Sequence, residues 1–349
     1  MKTIIAKLEG AARAKMMFIT TGWGIAMTAR RASGSRRGPG PLRVLAALVV
    51  LAAGLATTAC ATTAPGSADA AGSGGGRISV VAAENFWGSI AAQLGGNRVT
   101  ETSLISNPQT DPHSYEPTAA DALRIAGARL FIQNGIGYDS SWAPSLVAAN
   151  PSSARTVLTV GDVLGLSDGD NPHQWYSRAS VYTVIDAITT AYQRIDPSAA
   201  SYFAERRTWF ETTALADYNR LETEIKAQYA GTPIGASESI VSPLADSLGL
   251  DLRTPYSFLK DISEGSDPTA ADKSLIDQQI TDREIKVYVY NSQNSTPDIQ
   301  AQIALARQQG IPVTTVTETL SPAGDSFQQW MVTQLQSLEA ALAEATGHQ

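Results

Sequence analysis

The chain has 349 residues, 43% hydrophobic and 17% charged, with a formal net charge of −7, one cysteine and three histidines. The acidic balance argues against nucleic acid as a partner. A single cysteine excludes an internal disulfide, so stability must come from an ordinary apolar core.

Charge is distributed unevenly. Residues 1–59 hold nine Lys/Arg and one Glu, which leaves the remainder more acidic than the whole. Arg30, Arg31, Arg36, Arg37 and Arg43 form a basic region, an apolar run extends from Leu42 to Ala59, and Cys60 follows. That order reads as a secretory signal over residues 1–59. The start codon is open between Met1, Met17 and Met27. Residues 60–76, rich in Gly, Ser, Thr and Ala, read as a flexible tether rather than a transmembrane flank. A lone cysteine directly after such a run resembles a bacterial lipoprotein signal, which implies that Cys60 is lipidated and anchors the chain to the cell membrane. Thr57 departs from that motif, where an aliphatic residue is usual.

About 270 residues remain, enough for two domains of usual size. Ile78 to Ala82 reads as a buried strand, Phe86 to Leu94 as a helix, Val99 to Ile105 as a strand and Ala119 to Ala126 as a helix. Leu130 to Ile132 is a third strand, followed by a helix from Trp142 to Ala149 and a strand from Thr156 to Val160. Alternation of this kind predicts parallel strands with helices on both faces. From Pro197 to about Tyr229 there is no further Gly or Pro. Proline at the start and Gly231 past the end predict one helix, a rod of roughly 50 Å that bridges two lobes. The alternation then resumes: strands at Pro233–Ala236, Lys286–Tyr290 and Val313–Val316, and helices at Ile240–Leu248, Ala270–Ile280, Pro297–Gln308 and Gly324–Ala345. The expected fold is α/β: an N-terminal lobe over 77–196, an interlobe helix over 197–229 and a C-terminal lobe over 230–349. The two mostly parallel sheets would flank a cleft that holds the ligand.

Two of the three histidines stand in nearly the same tetrapeptide, Asp111-Pro112-His113-Ser114 and Asn171-Pro172-His173-Gln174. Proline restricts itself and the residue before it, so each imidazole leaves a rigid turn, as metal coordination requires. Both come from the first lobe. In the second, Glu238 and Glu318 directly follow strands. Each alone reads as a solvated charge or a helix-terminal residue. Beside two rigid histidines they read as donors. Asp111 and Glu116 are expected as turn and cap residues, with orientation of the histidines the alternative. Trp87, Trp175 and Tyr115 are expected as core, with the cleft wall the alternative. Asp325 is expected as the cap of the closing helix, with replacement of Glu318 as donor the alternative.

The run Asp111 to Thr118 with Asp121 and Asn134-Gly135, the segment Ala83 to Gly88, and Asn171 to Trp175 closely resemble the zinc/manganese class of ABC-transporter solute-binding proteins (cluster A-I, lipoprotein). The resemblance covers about residues 77–345. It implies one metal held by four protein ligands, by position His113, His173, Glu238 and Glu318. Glu238 stands where zinc-type members tend to have histidine, and Glu318 where aspartate is usual. The mixed N2O2 set leads us to favour Mn2+ slightly over Zn2+, with Fe2+ open. The implied function is capture of a divalent transition metal outside the cytoplasm and its delivery to an ABC permease, by a monomer. The alternatives are an adhesion or signalling lipoprotein on the same fold, or a metallohydrolase. Four protein donors leave no open water position, and Gly-x-Ser-x-Gly and His-Glu-x-x-His are absent, so no enzyme is expected.

Overall fold

The computed structural model describes residues 76–110, 112 and 115–347, all within one compact unit. The signal and most of the tether, Cys60, Asp111 and His113 lie outside them. The first strand, β1 (Ile78–Glu84), is apolar on both faces and occupies an inner place in its sheet. After α1 (Asn85–Gly95) the chain forms β2 (Val99–Ile105), parallel to β1 on one side. A Cβ at Gly88 would fall 2.1 Å from Ser103 Oγ, so glycine is what lets α1 lie this close to β2. Helix α2 (Ala119–Gly127) starts with a capping box between Thr118 and Asp121, which settles two otherwise unpaired backbone donors. The chain then returns to the other side of β1 as β3 (Leu130–Gln133), passes α3 (Ala143–Ala149), and reaches β4 (Thr156–Thr159). Sheet order is β2-β1-β3-β4, all parallel.

A short α4 (Val160–Leu164) and the long α5 (Arg178–Ile195) complete this half. The stretch expected as one interlobe helix is helical in successive pieces. A 3-10 turn at Pro197–Ala199 leads into α6 (Ala200–Trp209), then a π-helical segment, Phe210–Ala214, and, after Leu215, α7 (Ala216–Tyr229). The two pieces serve different halves: α6 packs on α1 and α5, while α7 packs on α8 and α12 of the second half, whose ranges follow.

That half repeats the topology. β5 (Pro233–Ala236) is followed by α8 (Val241–Leu248), β6 (Asp251–Leu252), α9 (Tyr256–Ser263) and α10 (Ala270–Thr281). Then come β7 (Val287–Asn291), α11 (Pro297–Gln308), β8 (Val313–Val316) and α12 (Phe327–Thr346). The order is β6-β5-β7-β8, again all parallel. Helix α12 is capped by Ser326, whose side chain accepts from the Gln329 N–H, so the cap expected at Asp325 stands one residue later.

One apolar cluster runs through both halves, from Val80 and Phe86 through Trp175, Phe210 and Tyr218 to Trp330 and Leu342. Phe86 stacks on Trp175 at 3.9 Å between centroids, a pair worth about 1 kcal/mol beyond its buried area. Helices α1 and α12, from opposite halves, are in contact. Such a joint is stiff: large separation of the halves means exposing this core. Among the described residues no helix is long and apolar enough to cross a membrane.

Candidate metal centre

In each sheet the chain leaves an inner strand in both directions, so switch points lie at the carboxyl ends of β1/β3 and β5/β7. Open α/β sheets bind ligands at such places. Here the two face each other: Asn171 Nδ2 donates to the Ser239 carbonyl at 2.7 Å, and the Leu320 N–H to Asn85 Oδ1 at 3.3 Å.

His173 is fully buried. Because the Asn171 amide nitrogen is committed to Ser239, its Oδ1 faces the imidazole, 2.9 Å from Nδ1, and also accepts the His173 N–H at 3.0 Å. Nδ1 therefore carries the proton, and Nε2 keeps the lone pair a metal needs. Trp175 and Tyr138 meet the imidazole edge to face at 5.2 and 5.8 Å. Trp87 and Trp175 are buried, as the core reading expected.

Glu238, also fully buried, leaves the end of β5. Glu318 follows β8. One side chain joins them: Asn291 Nδ2 lies 3.0 Å from Glu238 Oε2 and 3.0 Å from Glu318 Oε1. From the first half, the Tyr138 hydroxyl donates to Glu318 Oε2 at 3.1 Å. His173, Glu238 and Glu318 thus share neighbours: Tyr138 meets both His173 and Glu318, and Asn291 meets both glutamates. By themselves the described residues form no group of three His, Cys, Asp or Glu ready to hold a metal. The fourth expected donor, His113, lies outside the described residues. The preceding stretch does reach the same cleft, where the Pro108 carbonyl accepts from Gln293 Nε2 at 2.9 Å.

The loop that carries Tyr138 is constrained. Gly135, Ile136 and Gly137 are all left-handed, with φ of 70°, 58° and 81°. For a β-branched residue such as Ile136 that costs roughly 1–2 kcal/mol. Asp139 opposes the cost by accepting the Asn134 and Gly135 N–H groups, both at 2.7 Å. Behind it Glu84 is fully buried, and burial, then the Asp139 charge, hold its carboxyl well above the usual range. Burial also pushes the Asp139 carboxyl up, opposed by its Gly135 and Asn134 N–H donors, so of the two Asp139 is the better placed to carry negative charge.

Two cavities reach the site, of about 320 Å³ with Glu318 on its wall and about 80 Å³ with His173 on its wall, and both are bordered by Ser263 and Glu264. A larger groove of about 680 Å³, lined by Arg178, Tyr182, Glu222 and Lys226, holds none of the expected donors. Sequence reasoning missed Tyr138, Asp139 and Asn291. Asn291 ends a strand as Glu238 and Glu318 follow theirs, but an amide at that place gains meaning only beside the two carboxylates.

The family described as zinc-uptake complex component A, periplasmic (ZnuA), matches residues 80–341. The chain belongs to this family. The zinc-binding lipoprotein AdcA of Streptococcus pneumoniae is 22% identical over 273 residues, 71% of this chain, which spans only about half (52%) of that longer relative. The manganese-binding lipoprotein MntA of Bacillus subtilis is 23% identical over 270 residues, covering 74% of this chain and 84% of the relative. The fold matches that of a manganese-bound periplasmic metal-binding protein from Candidatus Liberibacter asiaticus. That TM-score is 0.63 at 21% identity, with 76% of this chain and all of the other covered.

Proposed function

We propose that this protein binds one divalent transition metal ion, zinc or manganese, in the cleft between its sheets, and delivers it to an ABC permease outside the cytoplasm. His113, His173, Glu238 and Glu318 are the donors. What supports this reading is the set of shared neighbours, Tyr138 against His173 and Glu318 and Asn291 against both glutamates, in a chain of the zinc-uptake family. One imidazole nitrogen and two carboxylates, with a second imidazole, suit a borderline cation and leave no open position for catalysis. The protein therefore binds and releases without chemistry, and its stiff joint keeps closure small.

Metal analysis of protein purified without chelator, followed by calorimetry with Zn2+ and Mn2+, tests the site. His113→Ala and His173→Ala each weaken binding by about 10–100-fold or more. Wild-type affinity in both variants refutes the donor set. Lipidation of Cys60 is tested by Cys60→Ser, which moves the protein from the membrane fraction to the medium. Retention in the membrane overturns the anchor.

A further inference from the structure

Asn291 ends β7, which lies next to both β5 and β8, the strands that deliver Glu238 and Glu318. It is fully buried, and its orientation is settled by its own neighbours. Its backbone N–H donates to Ser237 Oγ at 3.0 Å, and its Oδ1 accepts the Gln293 N–H at 2.9 Å. That leaves Nδ2 to donate one hydrogen to each carboxylate, both at 3.0 Å. Gln293 supports the arrangement by accepting the Glu318 and Thr319 N–H groups on Oε1, at 2.6 and 3.1 Å.

We propose that Asn291 sets the metal preference of the site, by holding Oε2 of Glu238 and so restraining that carboxylate to one-oxygen coordination, while Glu318 is held on both oxygens, by Asn291 and Tyr138. This rests on the reading of both glutamates as donors. A carboxylate can give a metal one oxygen or two. Zinc is satisfied by four donors in a tetrahedron, whereas oxygen-seeking ions such as Mn2+ gain from more oxygens, supplied in a buried site by two-oxygen carboxylates. An amide is suited to this restraint because one short arm carries two donors and no charge. It fixes orientation without altering the charge that the cation meets. Aspartate at this position would add a third negative charge and offer no N–H.

The test is competition titration of Zn2+ against Mn2+ in Asn291→Ala and Asn291→Leu, the second retaining side-chain volume, with thermal melts of the metal-free proteins as a folding control. The expected result is a Zn2+/Mn2+ affinity ratio lowered about tenfold in both, the scale on which groups that orient ligands act. X-ray absorption of the Mn2+ form then shows added oxygen neighbours. Equal losses for both metals, with the ratio unchanged, overturn the proposal and leave Asn291 a structural residue. His173→Ala and Glu238→Gln run alongside. If both keep wild-type affinity for each metal, the donor assignment fails, and the proposal fails with it by a distinguishable route.

Discussion

The Tyr138 hydroxyl donates to Glu318 Oε2 at 3.1 Å while the Tyr138 ring meets the His173 imidazole at 5.8 Å, so one side chain touches an expected donor from each half. Tyr138→Phe keeps the ring and removes only the bond. A hydrogen bond to a charged group contributes about 1.5–3 kcal/mol, so affinity should fall by roughly 10–100-fold. The loss should lie mainly in release, because the bond fastens the second half onto the first. Stopped-flow transfer of metal to a chelator measures it. An unchanged release rate would show that this bond does not hold the metal-bound state together.

Asn171 makes a separate prediction. Its Oδ1 selects the His173 tautomer, and its Nδ2 crosses to Ser239. Asn171→Leu removes both contacts. The expected outcome is a mixed tautomer, visible in the imidazole nitrogen NMR shifts, with metal affinity lower by about 10–100-fold. Retention of a single Nδ1–H tautomer in the variant would mean the surrounding rings orient His173 unaided.

Tyr138 and Asn291 mark where sequence reading stopped. Most strands were legible because parallel strands buried on both faces leave continuous apolar runs such as Val80 to Ala83. β6 has only two residues and α9 starts behind Pro255, so neither offered enough periodicity to register. The π segment at Phe210–Ala214 has no composition signature, and the stretch read as one uninterrupted helix. Glu238 and Glu318 were visible as carboxylates beside strand ends. Tyr138 and Asn291 were not, because a phenol and an amide become relevant only once the fold sets them against a carboxylate.

Glu318 carries one methylene more than the aspartate its position leads one to expect. Here the longer arm reaches two partners at once, Asn291 at 3.0 Å and Tyr138 at 3.1 Å. Glu318→Asp withdraws the carboxyl by about one bond length, too far to keep both contacts within hydrogen-bond range. Calorimetry should show affinity weaker by about tenfold, comparable to losing one such bond. Wild-type or tighter binding would indicate that the cleft closes to follow a shorter arm.

Away from the cleft, Glu222 on α7 makes the stability of the protein depend on pH. It is 3% exposed, on the groove that also holds Arg178 and Lys226. Burial pushes its carboxyl up to about 7, against the opposing pull of Tyr218, Arg178 and Lys226. The folded state therefore keeps this proton to higher pH than the unfolded chain, whose glutamate titrates near 4.5. Stability falls as pH rises through that window, and the full cost, on the order of 3 kcal/mol, is present above about pH 7. Glu222→Gln removes the ionisation while keeping the shape. It should stabilise the protein at pH 8, raising Tm by several degrees at roughly 2–4 °C per kcal/mol, and change little at pH 4.5. Melts of both proteins at the two pH values decide the matter. A shift of equal size at each pH would mean that Gln alters packing rather than relieving a buried charge.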